Sequence, residues 1–251
     1  MAQGRQDTWF RRFHPSRDAV AELVCFPHAG GSAAYWFPLS AALAPAVEVL
    51  AVQYPGRQDR HQEAPEADLH RLADRIAAAL GADDDPGRLR VLLGHSMGAS
   101  LAYEVAVRLE GTPGAAATLV VSGRRAPGRP QPGGARVMDD RALIAKVGSL
   151  GGTVASLLED DEMLRLILPT LRGDYAALAA YEGTPGTPLG CRVTALAGDA
   201  DPEASVADVR AWRHHTSGDF ELRVFAGGHF FLNDHLAAVA GLMTGLLPQR
   251  S

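Results

Sequence analysis

The sequence has few cysteines and no long apolar run. Cys25 and Cys191 are the only two, and they lack the spacing of metal ligands or of a disulfide framework. Each lies in or beside an apolar, strand-like run, so we expect two buried free thiols. No apolar stretch approaches the roughly 20 residues of a membrane-spanning helix, and the N-terminal residues lack the apolar core of a signal peptide. These absences predict a soluble, cytoplasmic protein.

The sequence also lacks a strong excess of charge of one sign. Lys and Arg together number 24 and Asp and Glu 29, which gives a formal net charge of −5. This balance provides no basic footprint for nucleic acid or for an anionic membrane, so neither partner is expected. Because 47% of the residues are hydrophobic, the chain can bury one sizeable core, and we predict a single domain over residues 1–251.

Short apolar runs alternate with amphipathic helical patterns along most of the chain. The spacing of Leu69, Leu72, Ile76 and Leu80 is typical of a helix with one buried face. The apolar runs resemble strands that are buried on both faces, and they comprise residues 23–26, 47–52, 91–93, 119–121, 193–196 and 222–225. This alternation predicts an α/β fold with a mostly parallel central sheet flanked by helices.

One region breaks the alternation of strands and helices. Residues 129–134 are rich in Pro and Gly and indicate a linker, and residues 138–181 then have helical patterns almost throughout. Pro169 either interrupts or kinks one of these helices. Because several helices in series exceed what one crossover needs, we predict a helical lid insertion at about residues 129–185. The alternative is an ordinary crossover that is unusually long.

Residues 94–98, with the sequence GHSMG, match the G-x-S-x-G pattern of a nucleophilic serine. They lie between an apolar run and a helical pattern, which is the strand–turn–helix context that the motif requires. The flanking glycines allow close approach of neighbouring backbone, and the helix N-terminus favours a developing oxyanion. We therefore predict Ser96 as the catalytic nucleophile. The alternative is a Gly-rich turn with an N-capping serine.

Four histidines follow the predicted nucleophile and are candidates for the general base. His229 follows two glycines and a strand-like run, a pattern typical of a loop that presents an imidazole closely. His214 and His215 lie in a polar stretch and His235 begins the last helical pattern, so these three are expected at the surface. We predict His229 as the base.

Two aspartates are candidates for the acid that orients the base. Asp199 and Asp201 both follow the apolar run 193–196, in the interval where the order Ser, acid, His of an α/β-hydrolase requires one. Either could instead cap its own loop. The residues alone leave this choice open.

The oxyanion site needs two backbone N–H groups. One belongs to Met97, which follows the nucleophile. The other is expected in residues 26–31, FPHAGG, a Gly-rich loop after an early strand, where Ala29 is the best donor. His28 precedes Ser96 and is interpreted as part of the loop structure or of the pocket wall.

Taken together, these segments resemble the stand-alone type II thioesterases of polyketide synthase and nonribosomal peptide synthetase pathways, which are α/β-hydrolases with a helical lid. The similarity covers nearly the whole chain. The matching segments are CFPHAGG at 25–31, QYPGR at 53–57, GHSMG at 94–98 with Leu101 and Glu104, SGRRAP at 122–127 and GGHFF at 227–231. The family pattern G-x-x-D-P implies Asp201 as the acid. Residues 150–153 and 168–172 resemble the family's lid.

The resemblance implies hydrolysis of acyl thioesters on the phosphopantetheine arm of acyl or peptidyl carrier proteins, which removes aberrant acyl groups. Carrier domains are thus the expected partners, no cofactor or metal is expected, and a monomer is assumed. Arg124, Arg125 and Arg129 form a candidate docking patch for an acidic carrier. Two alternatives stay open: a carboxylesterase or lipase acting on free esters, and an inactive binding protein on a hydrolase fold.

Overall fold

The computed structural model describes residues 8–16, 18–81, 88–129, 138–151, 161–184, 186 and 188–246. Its strands are β1 (Phe10–Arg11), β2 (Ala21–Phe26), β3 (Val47–Val52), β4 (Leu89–His95), β5 (Thr118–Ser122), β6 (Arg192–Gly198) and β7 (Phe220–Phe225). They form one sheet in the order β1-β3-β2-β4-β5-β6-β7, in which only β1 is antiparallel to its neighbour. The predicted α/β fold with a mostly parallel sheet is therefore confirmed.

The helices connect these strands and cover both faces of the sheet. They are α1 (Phe37–Leu43), α2 (Leu69–Gly81), α3 (Met97–Leu109), α4 (Asp140–Ser149), α5 (Asp161–Ala180), α6 (Val206–Arg210), α7 (Phe231–Asp234) and α8 (Leu236–Gly245). Short 3₁₀ turns occupy Ala33–Trp36, Gln58–Arg60 and Ala211–His215. None of the described helices is both long and apolar enough to cross a membrane.

Two apolar cores lie on opposite faces of the sheet, because successive side chains of a strand point to opposite faces. In β2, Val24 and Phe26 belong to one core, which includes the buried residues of α2 and α3. Leu23 and Cys25 belong to the other core, which includes those of α1 and α8. Both faces are thus covered, which explains the continuous apolar runs of the central strands. The edge strand β7, with the sequence FELRVF, is the exception, because it alternates and is only partly buried.

The helical region between β5 and β6 settles whether Pro169 interrupts a helix or lies within one. The helical patterns before and after Pro169 form a single helix, α5, rather than two. A proline removes one intrahelical N–H and often kinks a helix, but packing of the remaining turns can retain it. Residues 130–137 and 152–160 lie outside the described residues, so most of the proposed linker and part of the predicted lid do too. The lid and the single-domain boundaries stay predictions.

A buried carboxylate ties α3 to the end of α5. Glu104 is 0% exposed and accepts hydrogen bonds from the Tyr181 hydroxyl at 2.9 Å, the Thr184 backbone N–H at 3.0 Å and Arg108 at 2.9 Å. Burial raises the pKa of Glu104, but the hydrogen-bond donors lower it by more than burial raises it. The pKa therefore lies below its usual value. Glu104 is therefore charged at neutral pH and links two helices across about 80 residues of sequence.

Both cysteines are free thiols, as expected. Cys25 is buried in β2, and Cys191 is partly buried beside β6. Burial raises the pKa of each thiol, to about 11 for Cys191. Neither therefore carries thiolate character at neutral pH.

Candidate active site

Ser96 occupies a sharp turn between the end of β4 and the start of α3. Its backbone has φ 56° and ψ −120°, a strained conformation for a residue other than glycine. The turn is held because the Ser96 N–H donates to the Ser122 carbonyl of β5 at 2.8 Å. Strain maintained in this way at one serine is typical of a nucleophile elbow.

The two glycines of the elbow allow three backbone segments to meet. A Cβ on Gly94 would lie 2.1 Å from the Gly98 carbonyl oxygen, and one on Gly98 would lie 2.0 Å from the Phe26 carbonyl oxygen. Neither position has room for a side chain. The glycines thus place the elbow directly against the end of β2, where the Gly-rich loop begins.

Replacing Gly98 by alanine is expected to destabilise the fold, because backbone atoms rather than flexible side chains must move. The cost should be about 1–3 kcal/mol or more, and thermal unfolding at matched protein concentration measures it. The matched control is Gly241→Ala in α8, where a Cβ meets nothing within 4 Å. That variant should gain about 0.5–1 kcal/mol from reduced chain entropy. Equal effects of the two substitutions would contradict the packing argument.

Ser96, His229 and Asp201 form a continuous hydrogen-bonded chain. The Ser96 Oγ lies 2.9 Å from His229 Nε2, and His229 Nδ1 lies 3.0 Å from each carboxylate oxygen of Asp201. His229 is 3% exposed and Asp201 8% exposed. Ser96 follows β4, Asp201 follows β6 and His229 follows β7, so their meeting at the carboxyl edge follows from the parallel sheet.

The structure distinguishes Asp201 from the other candidate acid. Asp199 accepts a hydrogen bond from the Gly227 N–H at 2.9 Å and thus caps the loop that presents His229. Among the remaining histidines, His235 contacts the Ala226 carbonyl at 2.8 Å. His214 and His215 lie in the 3₁₀ turn after α6, away from Ser96.

Ala29, the predicted second oxyanion donor, lies beside Ser96. It occupies a β-turn at residues 28–31, in which the Gly31 N–H donates to the His28 carbonyl at 2.9 Å, and it lines the same cavities as Ser96. Met97, the other predicted donor, is the first residue of α3. The arrangement can offer two backbone N–H groups to an oxyanion.

A buried ion pair that the sequence analysis missed supports this turn. Asp174 of α5 accepts from the Gly30 N–H at 2.7 Å and pairs with Arg57, whose Nη1 donates to the Pro55 carbonyl at 2.7 Å. The QYPGR segment at residues 53–57 is thus a support for the oxyanion turn. A signal was available, because Asp174 interrupts the apolar stripe of its helix.

Two further histidines surround the triad and are neutral. Burial lowers the pKa of His28 to about 3, assisted by the nearby His229 and Arg57. Burial also holds the pKa of His95 well below its usual value, again assisted by His229. The rings of His95 and His229 are 5.1 Å apart. Neither neighbour therefore adds a positive charge that would oppose an imidazolium at His229.

The cavities at Ser96 are small and are walled by the helical region. One of about 20 Å³ is lined by Val147, Leu150, Tyr175 and Phe230, together with the turn. A second, of about 40 Å³, adds residues of α5, of the loop after β6 and of the loop after β5, which includes Arg124. A larger cavity of about 490 Å³ adjoins His28 but is not lined by Ser96. The hydrogen-bonded chain from Ser96 to Asp201, not cavity size, therefore marks the site.

The three arginines considered as a docking patch line one cavity of about 500 Å³ beside the end of α5, but they are exposed to very different degrees. Arg125 is 8% exposed and donates to the Glu203 carbonyl, so its interpretation as a surface docking residue is wrong. Arg124 lines the cavity at Ser96, and its Nε donates to Ser100. Only Arg129 is well exposed, and it pairs with Asp208 at 3.1 Å.

The sheet topology, the strained serine and the position of His229 define an α/β-hydrolase fold. A family model described as thioesterase domain matches residues 21–246. The chain is 50% identical to thioesterase PikA5 of Streptomyces venezuelae, over 90% of this chain and 80% of that one. It is 48% identical to a probable cadicidin biosynthesis thioesterase of Streptomyces griseus, over 92% of this chain but only 63% of that relative.

A solved structure is similarly close. The type II thioesterase BorB from the borrelidin biosynthetic cluster superposes with a TM-score of 0.89 at 44% identity, covering 96% of this chain and 98% of that one. The chain therefore belongs to the thioesterase domain family. The resemblance to type II thioesterases of polyketide and nonribosomal peptide pathways is confirmed.

Proposed function

We propose that this protein hydrolyses acyl thioesters carried on the phosphopantetheine arm of acyl or peptidyl carrier proteins, and so removes aberrant acyl groups during polyketide or nonribosomal peptide synthesis. The observation that carries the proposal is the hydrogen-bonded chain from Ser96 through His229 to Asp201. The names of the relatives support the substrate class, because they describe thioesterases, one of them a type II thioesterase from a biosynthetic cluster.

Acylation begins when Ser96 Oγ attacks the thioester carbonyl and His229 Nε2 takes the hydroxyl proton. Asp201 keeps the proton on Nδ1, so that Nε2 is free to accept, and it stabilises the imidazolium that forms. The N–H groups of Ala29 and Met97 receive the oxyanion. The carbon–sulfur bond then breaks and the sulfur leaves as the carrier thiol, with the proton from His229. Because that thiol has a pKa of about 8.5, its departure depends little on acid assistance.

Deacylation repeats the same proton transfers with water in place of the serine. His229 takes a proton from water as the hydroxide attacks the acyl-Ser96 carbonyl, and it returns that proton to Ser96 Oγ. The products are a carboxylic acid and the free serine. Nucleophile, base and oxyanion donors all belong to this chain, so we propose a reaction without a cofactor or metal.

Turnover of the same acyl group on three different leaving groups tests this proposal. An acetyl group is offered on a phosphopantetheinylated acyl carrier protein, on coenzyme A and as p-nitrophenyl acetate, and enzyme inactivated by a fluorophosphonate gives the background. We expect the highest kcat/KM on the carrier protein. Rapid ester cleavage without carrier turnover would favour a carboxylesterase. No turnover and no fluorophosphonate labelling would favour a binding protein.

A further inference from the structure

The carboxylate of Asp174 lies in the middle of α5 and is almost completely removed from solvent. Its side chain is 1% exposed, and Oδ2 accepts from both the Gly30 N–H at 2.7 Å and the Arg57 guanidinium. Burying a carboxylate is costly unless it is paired and hydrogen-bonded. Asp174 lies on the same buried face of α5 as Leu171 and Leu178, at a position where an apolar residue is expected. Helix packing alone does not account for it.

The N–H that Asp174 accepts belongs to the central peptide of the turn at residues 28–31. Gly30 has φ 75° at the third position of this turn, as in type II. Type I and type II turns differ mainly in the orientation of this peptide. A carboxylate facing the N–H therefore favours one orientation, because rotation would turn the Ala29 carbonyl oxygen towards the negative charge.

Arg57 and the helix itself hold the same turn from other directions. Arg57 Nε donates to the Gly31 carbonyl at 3.4 Å, and its side chain is 4% exposed. A Cβ on Gly30 would lie 2.4 Å from a methyl carbon of Leu171, so α5 packs directly against the turn. The turn that contains Ala29 is thus held by a distant helix as well as by its own glycines.

We infer that Asp174 is a positioning residue for the oxyanion site, acting through the turn at residues 28–31 and touching no reacting atom. The inference rests on the proposed function in assigning the Ala29 N–H to the oxyanion. Such a donor must lie about 2.7–3.1 Å from the oxyanion, and a 1 Å displacement can lower the rate about 100-fold. Substrate binding depends less on this distance than the transition state does.

Asp174→Asn tests the inference, because asparagine keeps the shape but cannot accept from Gly30 and Arg57 with the same charge. With an acetyl group on a phosphopantetheinylated carrier protein, kcat should fall about 10- to 100-fold while KM changes less than about 3-fold. A folded variant with kcat within about 2-fold of the wild type would overturn the inference.

The matched control is Glu22→Gln, which removes the negative charge from another buried ion pair, one that is distant from Ser96. Glu22 lies 2.9 Å from Arg90, and both side chains are 7% exposed. This pair joins the beginnings of β2 and β4, at the edge of the sheet opposite Ser96. The control should lose a similar amount of thermal stability and keep its kcat. An equal loss of kcat in Glu22→Gln would show that Asp174 acts only through stability.

A second variant and a second substrate keep the test decisive. If Asp174→Asn does not fold, Arg57→Lys keeps a cation for Asp174 but cannot also reach the Gly31 and Pro55 carbonyls, and kcat should fall about 3- to 10-fold. Unchanged kcat would overturn the inference. The same variants on p-nitrophenyl acetate separate the two proposals, because ester cleavage needs the oxyanion site but no carrier. Failure on carrier thioesters alone would count against the proposed function only.

Discussion

Replacing Ser96 by alanine is expected to lower kcat for thioester hydrolysis by about 10⁴- to 10⁶-fold. The Ser96 hydroxyl is the nucleophile that forms the acyl intermediate, so in its absence water must attack the thioester directly. Alanine fits the elbow sterically, so the fold should be retained. Single-turnover kinetics with acetyl-carrier protein and detection of the acyl-enzyme by mass spectrometry measure both consequences.

Ser40→Ala is a suitable control for this variant. Ser40 is also buried, and its Oγ lies 3.0 Å from His14 Nδ1, so the control removes a serine–histidine hydrogen bond elsewhere in the molecule. Its activity should stay within about 3-fold of the wild type, as for substitutions away from a catalytic site. Substantial hydrolysis by Ser96→Ala, or an acyl-enzyme on another residue, would refute the assignment of the nucleophile.

Replacing Asp201 by asparagine should lower kcat by about 10⁴-fold. The side-chain amide would donate to His229 Nδ1 and so place the ring proton on Nε2, where it faces Ser96 Oγ and prevents general-base catalysis. The geometry should change little, because asparagine has the same shape. Circular dichroism and thermal unfolding check the fold, and steady-state kinetics on acetyl-carrier protein measure the loss.

Asp199→Asn separates the role of the acid from that of the loop. Asp199 accepts from the Gly227 N–H, and asparagine can accept the same hydrogen bond through its carbonyl oxygen. We expect a loss of less than about 10-fold in kcat. A larger loss in Asp199→Asn than in Asp201→Asn would reverse the assignment that the family pattern implies.

The sequence predicts the sheet well because its strands are buried on both faces. Continuous apolar runs are present in β2 to β6, whereas β1, with only Phe10 and Arg11, is too short to leave a pattern. The run at 222–225 does form β7, but its prediction as a strand buried on both faces is wrong, because β7 lies at the sheet edge and Val224 is 50% exposed. Ser96 and His229 are predictable because glycines mark the sharp turns around them. Local residue patterns left Asp199 and Asp201 open because both follow β6. The family resemblance implied Asp201, and the structure places Asp201 rather than Asp199 at His229.

Local patterns can mark a buried polar residue, but they could not reveal which distant residue it contacts. Asp174 meets Gly30 across 144 residues, and Glu104 meets Tyr181 across 77. Nothing in the neighbouring residues identifies these partners. At Pro169 the local rule left an interruption and a kink open, and the structure has the proline inside one helix. Arg125 was predicted at the surface, but its guanidinium donates to the carbonyl of Glu203, a contact 78 residues away that local sequence cannot show.

The two contacts of α5 also determine how this protein can be recombined with its relatives. The helix is joined to the turn before α1 through Asp174, and the residues that follow it are joined to the nucleophile helix through Glu104. A segment transplanted from another thioesterase must therefore bring an acid opposite Gly30 and donors opposite Glu104. Without them, a chimera made to alter acyl preference would also disturb the groups that carry out the reaction.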